Sequence, residues 1–185
     1  DVKKTFPLLN SEYKYFHHYF WNLSPVWLKE HRTYFSKEQR AFGEGAFNAM
    51  WHLIFKEFKP QKVLEIGIYR GQTLTLFSLL SQKLNLNTEV HGISPFSSAG
   101  DSVSKYLKNL DYMEDVKKNF KHFNLPDPFL HKGYSNDKEM INIIQASKWD
   151  LIYIDGNHDY DIAKQDFDIS SKQLNQGGLI VLDDA

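Results

Sequence analysis

The stretch from Val63 to Thr73, Val-Leu-Glu-Ile-Gly-Ile-Tyr-Arg-Gly-Gln-Thr, constrains the fold of this chain more than any other part of its sequence. A short apolar run ends at Gly67, a second glycine follows at Gly71, and apolar residues then recur at helical spacing at Leu74, Phe77 and Leu80. This order predicts a strand, a tight glycine turn and a helix. Glycines in such a turn let a ligand approach the backbone, and the free N–H groups of the helix start favour an electronegative or polar ligand.

Strand and helix patterns alternate through the remainder of the chain. We predict strands at Val63–Ile66, Glu89–Ile93, Phe129–Lys132, Leu151–Ile154 and Leu179–Leu182. The helices predicted between them span Thr73–Leu84, Asp111–Phe123, Lys138–Ala146 and Tyr160–Leu174, the last with Tyr160 and Phe167 facing inward. Alternation at this spacing predicts an α/β domain whose parallel sheet has helices on both faces.

Residues 1–58 are predicted to form a helical extension that packs on a core of residues 59–185. The helical spacing of Phe16, Tyr19 and Phe20 favours a packed helix, and a lid or wall for an aromatic or sugar substrate is the alternative. The segment Ser36-Lys-Glu-Gln has the form of a capping box. It predicts a long helix that ends before Pro60 and has one apolar face, formed by Phe42, Ala46, Met50, Leu53 and Ile54.

Composition excludes several classes of protein. The net charge of −1 offers no electrostatic case for binding nucleic acid. The absence of cysteine excludes disulfides, thiolate metal sites and cysteine nucleophiles. No apolar run approaches the roughly 18 residues of a membrane span, and the first residues do not resemble a signal peptide. A cytoplasmic enzyme fits these observations, and a homo-oligomer is compatible with the sequence.

Three carboxylates end two of the predicted strands, Asp155 the fourth and Asp183 and Asp184 the fifth. Ligands of an open parallel sheet bind at this carboxyl edge. Carboxylates that follow apolar strands are partly desolvated and repel one another unless a cation neutralises them, and oxygen ligands suit magnesium or calcium. The sequence thus predicts a divalent metal site, magnesium in the first instance, at these three residues. The alternative is that Asp155 caps the following helix.

His158 follows Asp155 within Asp-Gly-Asn-His-Asp, at the same strand end. The unperturbed pKa of histidine, about 6.5, lets the imidazole accept a proton near neutral pH. We predict that His158 acts as a catalytic base with Asp155 beside it. The alternative is an ordinary packed or surface histidine.

Three segments together resemble a known family: residues 63–71, Trp149–Tyr160 and Gly177–Asp184. They are similar to motifs of the class I methyltransferases that use S-adenosylmethionine, in particular the metal-dependent small-molecule O-methyltransferases of the catechol type and the bacterial branch called methyltransferase family 24. The resemblance extends from about Phe42 to Ala185. It implies a Rossmann-like sheet, normally of seven strands, of which the last two are absent from this chain.

The resemblance also implies cofactors and site residues. The cofactors are S-adenosylmethionine and a divalent metal held by the three aspartates. His158 stands where the catechol enzymes carry a catalytic lysine. The residues implied to bind S-adenosylmethionine are Glu65, Gly67, Tyr69, Gly71, Ser94, Ser135 and Asp155. Ser94 departs from the family pattern, because it replaces an acid that binds the ribose hydroxyls. The lost charge-assisted hydrogen bond would cost about 1.5–3 kcal/mol, or roughly ten- to a hundredfold in affinity.

The expected reaction is metal-assisted methyl transfer to a hydroxyl of a sugar, a phenol or another natural product. Two alternatives stay open: metal-free transfer with His158 as the sole base, and a binding module that kept the fold and lost the chemistry. A nicotinamide dehydrogenase is disfavoured, because the glycine spacing is G-x-x-x-G and not G-x-G-x-x-G.

Overall fold

The computed structural model describes residues 9–100 and 106–183, which divide into two compact units between Glu57 and Phe58. The first unit contains helices α1 (Leu9–Asn22) and α2 (Val26–Phe35) and nearly all of α3 (Gly45–Phe58). Among the described residues, no helix combines the length and the apolar character needed to cross a bilayer.

The capping box predicted at Ser36 is wrong. Ser36 is the C-cap residue of α2, and Glu38 and Gln39 have positive φ angles of 56° and 53°, so no helix passes through this segment. The next helix, α3, begins only at Gly45. Its buried residues are Asn48, Ala49, Trp51 and Phe55, whereas Phe42 and Leu53 of the predicted apolar face are exposed.

Several rings of α1 are also exposed. Tyr19 and Phe20, which the helical spacing predicted to pack, are 48% and 39% exposed. Tyr15 stacks on Tyr19 with ring centroids 6.0 Å apart.

The second unit is built around a parallel sheet of five strands in the order β3-β2-β1-β4-β5. These strands are β1 (Lys62–Ile66), β2 (Glu89–Ser94), β3 (Phe129–Lys132), β4 (Trp149–Ile154) and β5 (Leu174–Leu182). The connecting helices are α4 (Gln72–Lys83), α5 (Tyr112–His122), α6 (Lys138–Gln145) and α7 (Tyr160–Ser171). The predicted α/β architecture with a parallel sheet is confirmed.

Both faces of the sheet are covered by helices. One face carries an apolar cluster that includes Leu64 and Ile66 of β1 together with Met140 and Ile144 of α6. On the opposite face, a Cβ built on Gly92 of β2 would lie 3.1 Å from the Leu74 side chain of α4. Gly92 therefore allows α4 to pack close to the centre of the sheet.

The last helix and strand differ from their predicted bounds. Leu174, predicted to end the helix, is the first residue of β5, whose pairing with β4 is irregular between Trp149 and Leu151. The irregularity absorbs Gly177, whose φ is +79°. Tyr160 and Phe167, predicted to face inward on α7, are exposed. Tyr160 lies at the first turn of the helix, directly after the N-cap residue Asp159.

Candidate functional site

The loops that follow β1, β4 and β5 meet at the carboxyl edge of the sheet. The backbone N–H of Asp155 donates to the Ile66 carbonyl at 2.8 Å, and that of Asp183 donates to the Ile154 carbonyl at 2.9 Å. These hydrogen bonds extend the pairing of the strands one residue past their ends. They bring Asp155 next to the turn that follows β1, and Asp183 next to the end of β4.

The glycines of this turn serve the packing of the protein itself. Gly67 and Gly71 have φ angles of +91° and +82°, a region that favours glycine. A Cβ on Gly67 would lie 2.1 Å from the Asp155 carbonyl oxygen, and one on Gly71 would lie 3.1 Å from the Val116 side chain. A side chain at either position would therefore meet the neighbouring strand end or α5, so the close packing here requires glycine.

A buried ion pair fixes the turn to α5. The Arg70 guanidinium donates to both carboxylate oxygens of Asp115, from Nε at 2.6 Å and from Nη2 at 3.2 Å. The Asn119 side-chain amide donates to the Arg70 carbonyl at 2.8 Å. Because all three residues are buried, these contacts hold the turn in one conformation.

Glu65 lies in β1 behind the turn and is 2% exposed. Burial, and then the nearby charge of Asp155, raise the pKa of the Glu65 carboxyl well above its usual value. Its Oε2 atom has no hydrogen-bond partner among the described residues. A buried carboxyl oxygen in this state is stabilised by any cationic or donor group that enters the site.

Three of the predicted side chains form a cluster that could hold a metal ion. Asp155, His158 and Asp183 each offer one ligand atom, and these atoms lie within 4.8 Å of one another. The His158 Nε2 lies 3.6 Å from the Asp155 Oδ1. Asp184, predicted as the third carboxylate ligand, lies outside the described residues. His158 takes the third place in the described cluster.

Tyr153 is a member of this site that the sequence analysis did not identify. Its hydroxyl lies 3.0 Å from the Asp155 Oδ2 and 3.1 Å from the Asp183 Oδ1. Burial raises the pKa of the Tyr153 phenol far above its usual value, and the charges of Asp155 and Asp183 add to this, so the hydroxyl stays protonated. The two-residue period of a strand could have indicated Tyr153, because residues 153 and 155 point to the same face.

Tyr69 lies within the turn itself, and Ser94 lies at the carboxyl end of the neighbouring strand. Tyr69 has a positive φ of 45°, and its ring lies against Tyr106 and Tyr112, with centroids 5.2 Å and 5.7 Å away. Ser94 ends β2 and is 8% exposed. Its hydroxyl accepts a hydrogen bond from the Phe96 N–H at 3.4 Å.

Ser135 lies in the loop after β3, near a buried carboxylate that the sequence analysis also missed. This carboxylate is Asp166 of α7, which has no exposed surface, and its Oδ2 would lie 3.8 Å from a Cβ on Gly156. Burial raises the pKa of Asp166 to about 6, and the Ser135 hydroxyl offsets part of the rise. Ser135 is close to Asp166 without ordinary hydrogen-bond geometry, since neither Asp166 oxygen has a hydrogen-bond partner among the described residues.

A family model described as a methyltransferase domain matches residues 64–185. An uncharacterised protein of Acanthamoeba polyphaga mimivirus is 32% identical over 125 residues, which are 65% of this chain and 50% of that protein. The chain thus spans about half the length of this relative.

Solved structures share the fold. A methyltransferase of Podospora anserina with SAH bound superposes with a TM-score of 0.66 at 18% identity, over 96% of this chain and 71% of that one. An O-methyltransferase from Bacillus cereus in complex with SAH gives a TM-score of 0.63 at 16% identity, over 90% and 70% of the two chains.

Proposed function

The chain belongs to the methyltransferase domain family, and from this premise we propose that it transfers a methyl group from S-adenosylmethionine to a hydroxyl of a small molecule, with the help of a divalent cation. The observation that carries the proposal is the meeting, at one sheet edge, of the turn after β1 with Asp155, His158 and Asp183. A bound cofactor and an acceptor hydroxyl at this edge would lie beside both a carboxylate pair and an imidazole.

The residues around the turn fit the cofactor. S-adenosylmethionine supplies an electrophilic methyl group and carries positive charge on its sulfonium and ammonium groups. The unpartnered Oε2 of Glu65 offers a buried acceptor for such a ligand. Ser94 and Ser135, at the ends of neighbouring strands, would contact its ribose and adenine in the places that the family resemblance implies.

The donor set also fits a divalent cation. The two carboxylates supply the oxygen ligands that magnesium and manganese prefer, and the imidazole nitrogen within 4.8 Å of them is a further ligand open to a transition metal such as manganese. The charge of a bound cation would lower the pKa of a coordinated acceptor hydroxyl. Asp155 and Asp183 would hold the ion, with His158 or Asp184 beside them.

His158 is the proposed acceptor of the proton that the substrate hydroxyl loses. The imidazole would take this proton at Nε2, and the neighbouring Asp155 carboxylate would stabilise the imidazolium that forms. This contact also favours a second candidate, metal-free methyl transfer in which His158 and Asp155 act as the only catalytic pair.

Calorimetric titration of the full chain with S-adenosylmethionine and with SAH, in excess magnesium and then in excess chelator, tests the proposal. We expect both ligands to bind under either condition, because the cofactor residues are separate from most of the cation ligands. We also expect magnesium to bind to the protein in the absence of cofactor, and Asp183→Asn to weaken that binding.

The outcomes separate the two candidates. Cofactor binding together with full methyl transfer in excess chelator would exclude the metal-assisted mechanism and leave metal-free transfer. No binding of S-adenosylmethionine or SAH under any condition would contradict both candidates and favour a binding module for another ligand.

A further inference from the structure

We propose that Tyr153 is a positioning residue for the cation site: its hydroxyl holds Asp155 and Asp183 in the orientation that binds the metal. This inference rests on the proposed function, since it concerns the cation that the function uses. It goes beyond that function because it assigns a role to a residue that supplies no ligand atom to the described cluster.

The geometry places one hydrogen-bond donor between two carboxylates. The Tyr153 hydroxyl lies 3.0 Å from Oδ2 of Asp155 and 3.1 Å from Oδ1 of Asp183. A phenol has one hydrogen, so it can donate fully to only one of these oxygens at a time. The second oxygen is held at hydrogen-bonding distance with its negative charge uncompensated by this donor.

Such an arrangement is favourable when positive charge lies close by. Two carboxylates gathered around the neutral Tyr153 hydroxyl repel each other, and partial burial strengthens the repulsion. A divalent cation held by Asp155 and Asp183 would offset this repulsion. The Tyr153 site is therefore complementary to the cation-bound form of the protein.

The contacts also fix which carboxylate oxygen faces the cluster. Tyr153 contacts Oδ2 of Asp155, while His158 lies 3.6 Å from the other oxygen, Oδ1. The hydroxyl thus sets the rotation of the Asp155 carboxylate about its last bond. Hydrogen bonds of this kind, from groups that do not touch the metal, typically change metal affinity by about 10- to 100-fold.

The burial of the Tyr153 ring fixes the position of its hydroxyl. Tyr153 is 6% exposed and lies in β4, where it pairs with Glu65 of β1 and Val181 of β5. A ring held by the centre of the sheet has little freedom to move. Replacing it by phenylalanine removes the hydroxyl and keeps the packing.

The test is manganese binding to the full chain, followed by the electron paramagnetic resonance signal of the free ion. We expect Tyr153→Phe to weaken Mn²⁺ binding by about 10- to 100-fold and to leave the affinity for SAH in chelator unchanged. The matched control is Tyr112→Phe, which removes the hydroxyl of another buried tyrosine that donates to the Leu107 carbonyl at 2.9 Å. This control is expected to change thermal stability without changing Mn²⁺ affinity.

A double-mutant cycle distinguishes positioning from a merely structural role. If Tyr153 acts through both carboxylates, then Tyr153→Phe causes a smaller loss of Mn²⁺ affinity in the Asp183→Asn background than in the wild type. Tyr153→Phe with the wild-type Mn²⁺ affinity, or with a loss fully additive to that of Asp183→Asn, overturns the inference and leaves the proposed function in place. Absence of Mn²⁺ binding to the wild-type protein overturns both the metal-assisted function and the role of Tyr153.

Discussion

Two carboxyl groups of this protein, Glu65 and Asp166, are buried and have oxygen atoms without a hydrogen-bond partner among the described residues. Both have pKa values raised by desolvation, Asp166 to about 6. When the pKa of an acid is higher in the folded than in the unfolded protein, the group stabilises the fold at pH values below its unfolded-state pKa. This stabilisation is lost as the pH rises through its folded-state pKa. For Asp166 the loss falls between about pH 4 and pH 6.

Asp166→Asn is expected to gain stability over the wild type as the pH increases across this range, by up to about 3 kcal/mol above pH 7, because the amide has no charge to desolvate. Urea unfolding at several pH values in chelator measures the difference. Asp168→Asn is the control on the same helix, since Asp168 is exposed and pairs with Lys164 at the surface. A stability difference for Asp166→Asn that is independent of pH would show that this carboxyl is not desolvated.

His158→Ala is expected to lower kcat with an accepted hydroxyl substrate by about 10²- to 10⁴-fold, with little change in SAH affinity, because the variant loses the proton acceptor. Measuring Mn²⁺ affinity for the same variant separates the two roles open to His158. A large loss of Mn²⁺ affinity would identify a ligand, whereas a near-normal kcat would contradict the assignment as base.

At the scale of secondary-structure elements, the turn after β1 depends on α5 for its conformation. The ion pair of Arg70 with Asp115 is nearly inaccessible, with side-chain exposures of 6% and 10%. Removing one partner of a buried pair leaves the other charge uncompensated. The conformation of the turn is therefore stabilised both by its glycines and by the buried ion pair with α5.

Asp115→Asn is expected to lower the free energy of unfolding by about 3 kcal/mol, because Arg70 would stay buried without an anionic partner. Glu114→Gln provides the control one residue away: it breaks the surface pair with Lys117, whose side chain is 48% exposed, and should cost less than about 1 kcal/mol. Chemical unfolding of both variants gives the comparison. Similar losses for the two would mean that the Arg70 pair contributes no more than a surface contact.

The predicted secondary-structure elements are more accurate in the second unit than in the first. In the second unit, each predicted strand and helix exists, because the apolar runs and helical periodicities there mark elements packed in the layers of the sheet. The inward face predicted for α7 is nevertheless wrong at Tyr160 and Phe167, which are exposed. In the first unit, Ser36 had the form of an N-cap and is a C-cap instead. The four-residue pattern of a capping box contains no information about the residues before it. Here the preceding helix α2 extends to Phe35, so Ser36 ends that helix and does not begin a new one.

For the whole molecule, topology explains how much of the site could be predicted. Residues at the carboxyl ends of parallel strands share one edge, so the meeting of Asp155, His158 and Asp183 followed from the strand assignments alone. The pairing of Arg70 with Asp115 and the burial of Asp166 beside Ser135 did not follow. They depend on how helices far along the chain lie against loops, which no local pattern encodes.

The order of the strands along the chain also determines the order in which they are synthesised. Synthesis proceeds from the amino terminus, so the turn after β1 and the end of β4 leave the ribosome before β5 does. A nascent chain can thus carry Glu65, Tyr153 and Asp155 at a nearly finished edge while Asp183 is still unmade. The cluster of Asp155, His158 and Asp183 is therefore complete only once β5 has joined the sheet, which makes it the last part of this edge to form.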